Sequence, residues 1–189
     1  MLRALNHARL PIQLVLVAGG DDELYDRFQA QTWHLPAQIY NFVEEMARFL
    51  IASDVIMSKA GGLIVSESLA AGLPMVLVNV LPGQEVGNAE HVVEGGAGVI
   101  AKDPISALET LWHWLDEDGK ELRQRARAAE ELGKPRAAED VAQLALEAAS
   151  GAVAKRRWAQ EHAGRARLLA FLRRNGLLSD KPEGDEAAG

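Results

Sequence analysis

The sequence has no cysteine among its 189 residues and only five histidines. The absence of cysteine excludes disulfide bonds, zinc–thiolate sites, iron–sulfur clusters and thiol nucleophiles, and it fits a reducing cytoplasm. None of the histidines belongs to a ligand-spaced cluster. They stand at positions 7, 34, 91, 113 and 162. We therefore predict no metal site, and we expect structural or solvated roles for the histidines.

Long hydrophobic segments are also missing. The longest apolar runs, Ile12–Ala18 and Leu73–Val80, are too short to cross a bilayer. The segment Met1–Leu10 lacks the apolar centre of a signal peptide. These two absences predict a soluble chain that is not exported.

Positive charge is in deficit over the chain as a whole. Twenty Lys and Arg stand against 27 Asp and Glu, which gives a net charge of -7 and a pI near 5.3. A polyanionic partner needs a clustered basic surface, so we predict no nucleic-acid partner. With 48% hydrophobic residues the chain can still bury a core, and its length suits one domain with an appendage.

Short apolar runs alternate with helical patterns through the first part of the chain. The run Pro11–Gly20 predicts a buried strand that ends at Gly19 and Gly20, and a helix capped by Asp21 or Asp22 follows. Further strands are predicted at Ile39–Phe42, Asp54–Ser58, Met75–Val78 and Gly98–Ala101, with helices at Glu44–Ala52, Gly62–Ala71 and Gly87–Glu94. This alternation is typical of a Rossmann-like α/β domain with a doubly wound parallel sheet.

Only helices are predicted in the remainder of the chain. They lie near Ile105–Asp116, Asp118–Leu132 and Arg136–Ala149, and a basic helix follows. The stretch Lys155–Leu178 carries seven Lys or Arg and the single acid Glu161. The last residues are polar and small, which predicts disorder. We therefore divide the chain into a domain at 1–150, a basic helix at 151–176 and a tail at 177–189.

A glycine pair joins the third predicted strand to the next helix, in the glycine loop (Ala60–Leu63). Gly61 and Gly62 let a ligand approach the backbone, and the amides at a helix start favour an anion, although a tight turn alone gives the same pattern. Neither a Walker sequence nor GxGxxG is present. Glu67 lies about one and a half turns into the helix, where it either binds paired sugar hydroxyls or is simply solvated.

The polar loop (Pro82–Asn88) follows the fourth predicted strand. Gln84, Glu85 and Asn88 bring amide and carboxylate groups to the edge of the sheet. Such groups suit a polyhydroxylated ligand, whereas each of them alone could instead cap the next helix. Because parallel strands end at the same edge of a sheet, we expect the two loops to lie side by side.

Three motifs together resemble glycosyltransferase family 28. They are KAGG at Lys59–Gly62 with SE five residues later, GLP at Gly72–Pro74, and PGQEVGN at Pro82–Asn88. The segment Leu2–Leu146 is similar to the C-terminal, donor-binding domain of that family, nearest to the branch of monogalactosyldiacylglycerol synthases and processive diacylglycerol glucosyltransferases. The resemblance implies the C-terminal half of a glycosyltransferase B-type fold that lacks its first strand and is followed by helices.

The resemblance also implies roles for individual residues. Backbone amides of the glycine loop hold the diphosphate of a UDP-sugar, and Glu67 binds the ribose hydroxyls. The remaining nucleotide contacts fall at Gly19, Gly20, Phe42 and Val43, beside Ala60, Gly61, Gly62 and Leu63 of the glycine loop. The implied contacts to the donor hexose fall at Gln84, Glu85 and Asn88. Asn41 stands where the family commonly has glycine.

The implied reaction is inverting transfer of a hexose from a UDP-sugar, the donor substrate, to a lipid acceptor such as diacylglycerol. Helix-terminal amides stabilise the leaving diphosphate, and no resident cofactor or metal is expected. The general base is expected in an N-terminal acceptor domain, on the same or a separate polypeptide, so no catalytic residue is predicted in this chain.

Two other functions stay open at this point. A UDP-sugar-binding module or fragment without activity of its own fits the same motifs, and a UDP-sugar epimerase has a similar fold, although PGQEVGN fits the transferase branch better. In the family, an acceptor domain and a strand precede the helix that matches Leu2–Leu10. We therefore expect a fragment rather than a natural split subunit, because a natural split should fall between domains.

The basic stretch at 155–178 has two interpretations. It either rests on anionic lipid, with Trp158 and Phe171 among the insertion points, or packs back as a terminal helix with its arginines solvated. We therefore predict a cytoplasmic protein that is peripheral at the inner face of the membrane if the first interpretation holds.

Overall fold

The structure is a computed structural model that describes residues 1–149, 151, 168, 169, 171, 172 and 174. These residues form two compact units, Met1–Pro135 and the described residues from Arg136 onward. The predicted basic helix at 151–176 lies for the most part outside the described residues, and the predicted tail at 177–189 lies wholly outside them.

Strands and helices alternate through the first unit, as predicted. The strands are β1 (Leu14–Val17), β2 (Ala37–Tyr40), β3 (Ile56–Ser58), β4 (Met75–Leu77) and β5 (Gly98–Ile100). The helices of that region are α1 (Leu2–His7), α2 (Asp22–Gln29), α3 (Met46–Ile51), α4 (Gly62–Ala70) and α5 (Val86–Glu94). They are followed by α6 (Pro104–Leu115), a 3-10 turn (Glu117–Gly119), α7 (Lys120–Leu132) and α8 (Ala137–Ala149), of which α8 belongs to the second unit. No helix among the described residues is long and apolar enough to span a bilayer.

Strand β2 begins and ends earlier than the sequence predicts. It stops at Tyr40, so Asn41 and Phe42 lie in the loop beyond the strand. The reason is its pairing with β1, which runs from Leu14 opposite Ala37 to Val17 opposite Tyr40. The length of the neighbouring strand, rather than the local preference for aromatic and branched residues, decides where β2 lies.

All described strand pairs are parallel, and they form two sheets. One contains β1 and β2, and the other has the order β3-β4-β5. The common doubly wound sheet has six strands in the order 3-2-1-4-5-6, counted along the chain of such a protein. If its strand 1 is omitted, strands 3 and 2 form one group and strands 4, 5 and 6 form another. The described strands match that arrangement, because β1 pairs only with β2 and β3 only with β4 among them.

The three-stranded sheet has a core on each face because its middle strand is fully buried. Met75 and Leu77 of β4 face a cluster that includes Val65 of α4. Val76, which points to the opposite face, packs in a second cluster with Trp114 of α6. Trp114 is only 2% exposed. Buried surface on both faces is the usual condition of a parallel sheet.

Helix α1 connects the two sheets. Leu5 packs in the same cluster as Trp114. The neighbouring Asn6 is buried, and its side-chain amide donates to the carbonyl of Thr32 at 2.7 Å while its oxygen accepts from the amide of His34 at 2.6 Å. Since residues 32 and 34 lead into β2, α1 ties the first sheet to the core of the second.

Helix α6 begins at a capping box that explains its boundary. The carboxylate of Asp103 accepts hydrogen bonds from the amides of Ile105 and Ser106 at 2.8 and 2.9 Å. The hydroxyl of Ser106 accepts in return from the amide of Asp103. The amide hydrogen bond from Ser106 is the main cause that lowers the pKa of Asp103, and that from Ile105 adds to it, whereas desolvation opposes both.

Candidate functional site

The glycine loop and the polar loop lie at one edge of the three-stranded sheet, as predicted. Ser58 ends β3 and stands opposite Leu77, which ends β4. The chain leaves β3 into the glycine loop and leaves β4 into the polar loop. Because paired parallel strands deliver their following loops to the same edge, this edge gathers the backbone amides of one loop and the polar side chains of the other.

The glycine loop presents the start of α4 without a side-chain cap. Gly61 is the N-cap residue in extended conformation, and among the described residues no side chain accepts a capping hydrogen bond from the first amides of the helix. Ala60 is fully buried in the core beneath, whereas Leu63 is 75% exposed. The first amides of a helix need an acceptor, and here the protein supplies none from an N-cap side chain. This arrangement suits an anionic ligand.

Glu67 lies on the same side of α4 as Leu63, four residues earlier. Its side chain is exposed, and it stands about 7.5 Å along the helix axis from Gly62. Ser66, its neighbour, turns back and donates its hydroxyl hydrogen bond to the carbonyl of Gly62 at 2.8 Å. Glu67 is therefore a carboxylate at the rim of the glycine loop, within reach of a group that extends beyond a bound anion.

The polar loop is held by its own side chains. Glu85 is 9% exposed, and its carboxylate accepts from the amide of Leu81 at 2.9 Å. The side-chain amide of Asn88 donates to the carbonyl of Ala60 at 2.9 Å. Gln84 is exposed. Of the three residues predicted to contact a sugar, Gln84 alone lacks a structural hydrogen bond among the described residues.

The other predicted nucleotide residues meet at the edge of the first sheet. Gly19 and Gly20 have φ of +73° and +89°, the left-handed region in which glycine is favoured. The amide of Gly20 donates to the carbonyl of Asn41 at 2.9 Å, which joins this turn to the segment of Phe42. Phe42 is 65% exposed, and Val43, which follows it, is half-buried. The predicted residues thus form two groups, one at the carboxyl edge of each sheet.

Three hydrogen bonds of the site were not predicted from the sequence. They are the Glu85–Leu81 and Asn88–Ala60 hydrogen bonds and the bond from the side-chain amide of Asn41 to Asp22. Only the Glu85–Leu81 bond could have been expected from the sequence, because its two residues are four positions apart in a loop that enters a helix. The other two join residues 19 and 28 positions apart, so only the folded chain reveals them.

No group of three or more potential metal ligands comes together among the described residues. A polar depression of about 600 Å³ lies elsewhere, lined by Gly95, His113 and Arg125 among others. Gly95 follows α5 and precedes β5, so this depression belongs to the opposite edge of the sheet. It shares no residue with the glycine loop or the polar loop.

The fold is similar to that of solved glycosyltransferases. MurG of Acinetobacter baumannii matches with a TM-score of 0.55 and 25% identity over 75% of this chain and 45% of that chain. The glycosyltransferase SnogD of Streptomyces nogalater matches with a TM-score of 0.51 and 24% identity, over 75% of this chain and 37% of that chain. These likenesses confirm the predicted fold class, a Rossmann-like α/β domain of glycosyltransferase B-type.

The chain is also similar in sequence to monogalactosyldiacylglycerol synthases. The probable monogalactosyldiacylglycerol synthase 2, chloroplastic, of Oryza sativa subsp. indica is 37% identical over 134 residues, 70% of this chain and 29% of that protein. Monogalactosyldiacylglycerol synthase 2, chloroplastic, of Arabidopsis thaliana is 35% identical over the same shares of both. The chain thus spans less than a third of the length of these relatives. Residues 1–145 match the family model "Glycosyltransferase family 28 C-terminal domain", and the chain therefore belongs to glycosyltransferase family 28, of which it carries the C-terminal domain.

Proposed function

We propose that the chain is the donor-binding half of an inverting, UDP-sugar-dependent hexosyltransferase that acts on a lipid acceptor such as diacylglycerol. The observation that carries the proposal is the uncapped start of α4 directly after β3, beside a polar loop at the same sheet edge. Membership in the family makes a nucleotide sugar the natural anionic ligand. The names of the relatives, monogalactosyldiacylglycerol synthases, favour a hexose as the group transferred and diacylglycerol as the acceptor.

In the proposed complex the glycine loop binds the diphosphate. The amides of Gly61, Gly62 and Leu63 donate to its oxygens, and the positive end of the α4 dipole lies beneath them. Glu67 accepts hydrogen bonds from the ribose hydroxyls. The segment Phe42–Val43 faces the uracil, and the turn at Gly19–Gly20 lines the cleft beside it.

The same contacts favour the chemical step. As an acceptor hydroxyl attacks the anomeric carbon, the bond from that carbon to the diphosphate breaks and negative charge grows on the leaving oxygen. Amides already fixed at a helix start stabilise that charge without rearranging. The polar loop orients the hexose, with Gln84 as its exposed amide. The group that removes the proton from the acceptor hydroxyl belongs, on this proposal, to the acceptor domain and not to this chain.

A second candidate function is UDP-sugar binding without transfer. It is favoured by the geometry of the site, because the uncapped start of α4 and the polar loop beside it suit the binding of a donor and need no transfer. Adding the acceptor half of a family member to the chain distinguishes the two. Transfer from UDP-galactose to diacylglycerol in the mixture supports the transferase, whereas UDP binding with no transfer in any such mixture supports the binding module.

A lipid acceptor also suggests where in the cell the protein acts. We propose that the protein is cytoplasmic and peripheral at the inner face of the membrane, held there by the basic stretch at 155–178. The support is the charge of that stretch, seven Lys or Arg against one Glu, in a chain whose net charge is negative.

Substitution of Glu67 tests the nucleotide assignment. Glu67→Ala removes a charged acceptor of hydroxyl hydrogen bonds, a loss of about 1.5–3 kcal/mol, and UDP affinity should fall roughly 10- to 150-fold. Isothermal titration calorimetry with UDP measures this loss. The matched control is Glu94→Ala, an exposed glutamate at the far end of α5, which should bind UDP like the unsubstituted chain.

The ribose contact is checked with 2′-deoxy-UDP. If Glu67 binds the 2′-hydroxyl, the substitution should cost less affinity with the deoxy nucleotide than with UDP, because part of the contact is already gone. Equal UDP affinity of Glu67→Ala and the unsubstituted chain would remove Glu67 from the site.

A further inference from the structure

Asn88 makes the one described side-chain hydrogen bond between the polar loop and the glycine loop. Its side-chain amide donates to the carbonyl of Ala60 at 2.9 Å, and Asn88 itself is half-buried. Ala60 is fully buried in the core cluster under α4. One end of this contact therefore belongs to a fixed point of the core, and the other to the third residue of α5.

The hydrogen bond fixes the direction of the next amide. In a trans peptide the carbonyl of one residue and the N–H of the following residue point in opposite directions. With the Ala60 carbonyl bonded toward α5, the N–H of Gly61 points away from α5. This N–H has no acceptor among the described residues, so it is available to a ligand.

Without Asn88 the opposite orientation is within reach. Residue 61 is glycine, which accepts positive as well as negative φ, so the peptide between residues 60 and 61 can turn over at little steric cost. The turned peptide presents the Ala60 carbonyl oxygen in place of the Gly61 N–H. A carbonyl oxygen repels an anion, whereas an N–H binds it.

We propose that Asn88 is a positioning residue for the diphosphate: it holds the Ala60–Gly61 peptide with its N–H toward the bound anion. The inference rests on the proposed function and changes the role of Asn88, which the family resemblance assigns to the hexose. The Asn88 amide acts on the nucleotide through the backbone of the glycine loop. Gln84, the exposed amide of the polar loop, keeps the predicted hexose contact.

The test compares UDP with UDP-galactose in the full chain. Asn88→Leu keeps the approximate size of the side chain and adds no charge near the diphosphate, but it has no N–H to donate to the Ala60 carbonyl. Both ligands should lose affinity by the same factor, about tenfold, the cost of one hydrogen bond to a charged group. If Asn88 contacts the hexose instead, UDP affinity stays unchanged and only UDP-galactose binds more weakly, which would overturn the inference.

The matched comparison is Gln84→Ala, for which the opposite pattern is expected. UDP should bind as before, and UDP-galactose should bind more weakly. The ¹⁵N–¹H resonance of Gly61, recorded without ligand, gives a second readout because it reports the orientation of that peptide. A shift of this resonance in Asn88→Leu but not in Gln84→Ala supports the inference, and an unmoved resonance refutes it.

Two other outcomes are distinguishable. A lower melting temperature of Asn88→Leu with unchanged UDP affinity and an unmoved Gly61 resonance assigns Asn88 a merely structural role and overturns the inference. If the unsubstituted chain binds no UDP, the proposed function fails. The Gly61 resonance still decides in that case whether Asn88 sets the orientation of the peptide.

Discussion

Two glycines of this domain should respond to alanine in opposite ways. A methyl group on Gly62, the first residue of α4, would have the side-chain amide of Asn88 as its nearest neighbour at 3.7 Å, an ordinary contact. A methyl group on Gly98, the first residue of β5, would overlap the carbonyl oxygen of Met75 and lie 2.7 Å from a methyl carbon of Val92. The protein thus leaves space for a methyl group on residue 62, whereas it leaves no space for one on residue 98.

The expected magnitudes follow from these surroundings. Alanine in place of glycine within a helix stabilises by roughly 0.5–1 kcal/mol, so Gly62→Ala should fold as well as the unsubstituted chain or slightly better. Gly98→Ala forces a methyl group into a packed core, which costs about 1–3 kcal/mol, and for a chain of this size each kcal/mol lowers the melting temperature by roughly 2–4 °C.

UDP affinity should respond in the opposite way to stability: Gly62→Ala should lower it, and Gly98→Ala should leave it unchanged. Side-chain bonds tilt toward the helix N-terminus, so the methyl group of Gly62→Ala projects to the side from which a diphosphate approaches. Loss of one hydrogen bond to the anion weakens UDP binding by about 1.5–3 kcal/mol, or roughly 10- to 150-fold. Gly98→Ala, which lies away from the glycine loop, should bind UDP normally at temperatures where it is folded.

Thermal unfolding by circular dichroism and calorimetric titration with UDP measure the two properties on the same samples. Gly87→Ala is the control, because residue 87 is a helical glycine at the same sheet edge with nothing within 4 Å of an added methyl group. UDP affinity of Gly62→Ala within twofold of the unsubstituted chain would refute the assignment of the diphosphate to the glycine loop. An unchanged melting temperature of Gly98→Ala would refute the packing argument.

The remaining predictions concern the cap of α6 and the basic stretch. Hydrogen bonds at the helix start lower the pKa of Asp103, so its contribution to stability is present above its usual pKa of 3.8 and is lost as the pH falls through the lower folded-state value. The melting-temperature advantage of the unsubstituted chain over Asp103→Asn, which keeps an N-cap oxygen, should therefore shrink on acidification; a constant difference would refute this. The full chain should cosediment with phosphatidylglycerol vesicles more than with phosphatidylcholine vesicles and should be released by salt, whereas a chain ending at residue 150 should not bind; equal binding of the shortened chain would exclude the basic stretch as the anchor.

Local sequence patterns were sufficient for the order of elements and for most of their boundaries. Of the two residues predicted as possible caps of α2, Asp21 and Asp22, the structure shows Asp21 as the cap, since its carboxylate accepts from the amide of Leu24 at 2.9 Å. The glycine pair at residues 61 and 62 correctly marks the start of α4. These features depend on interactions between residues three or four positions apart, which a sequence displays directly.

Features that depend on distant residues were not predictable in the same way. The position of β2 follows from its register with β1, more than twenty residues earlier, and the division into two sheets follows from which strands pair. The Asn88–Ala60 bond likewise has no signal in the sequence spacing. At the candidate site, the sequence therefore predicted which residues gather at the edge, while only the structure gives their hydrogen-bond partners.

The division into two sheets has a consequence for affinity. In the proposed complex, uracil contacts the group on the β1–β2 sheet and the diphosphate contacts the group on the β3–β4–β5 sheet, so UDP acts as a bivalent ligand. Once one end of UDP is bound, the effective concentration of its other end at the second group depends on how rigidly the two sheets are joined. Leu5 and Asn6 of α1 make that connection. A looser connection lowers UDP affinity without any change in the residues that contact UDP, and bound UDP in turn strengthens the connection.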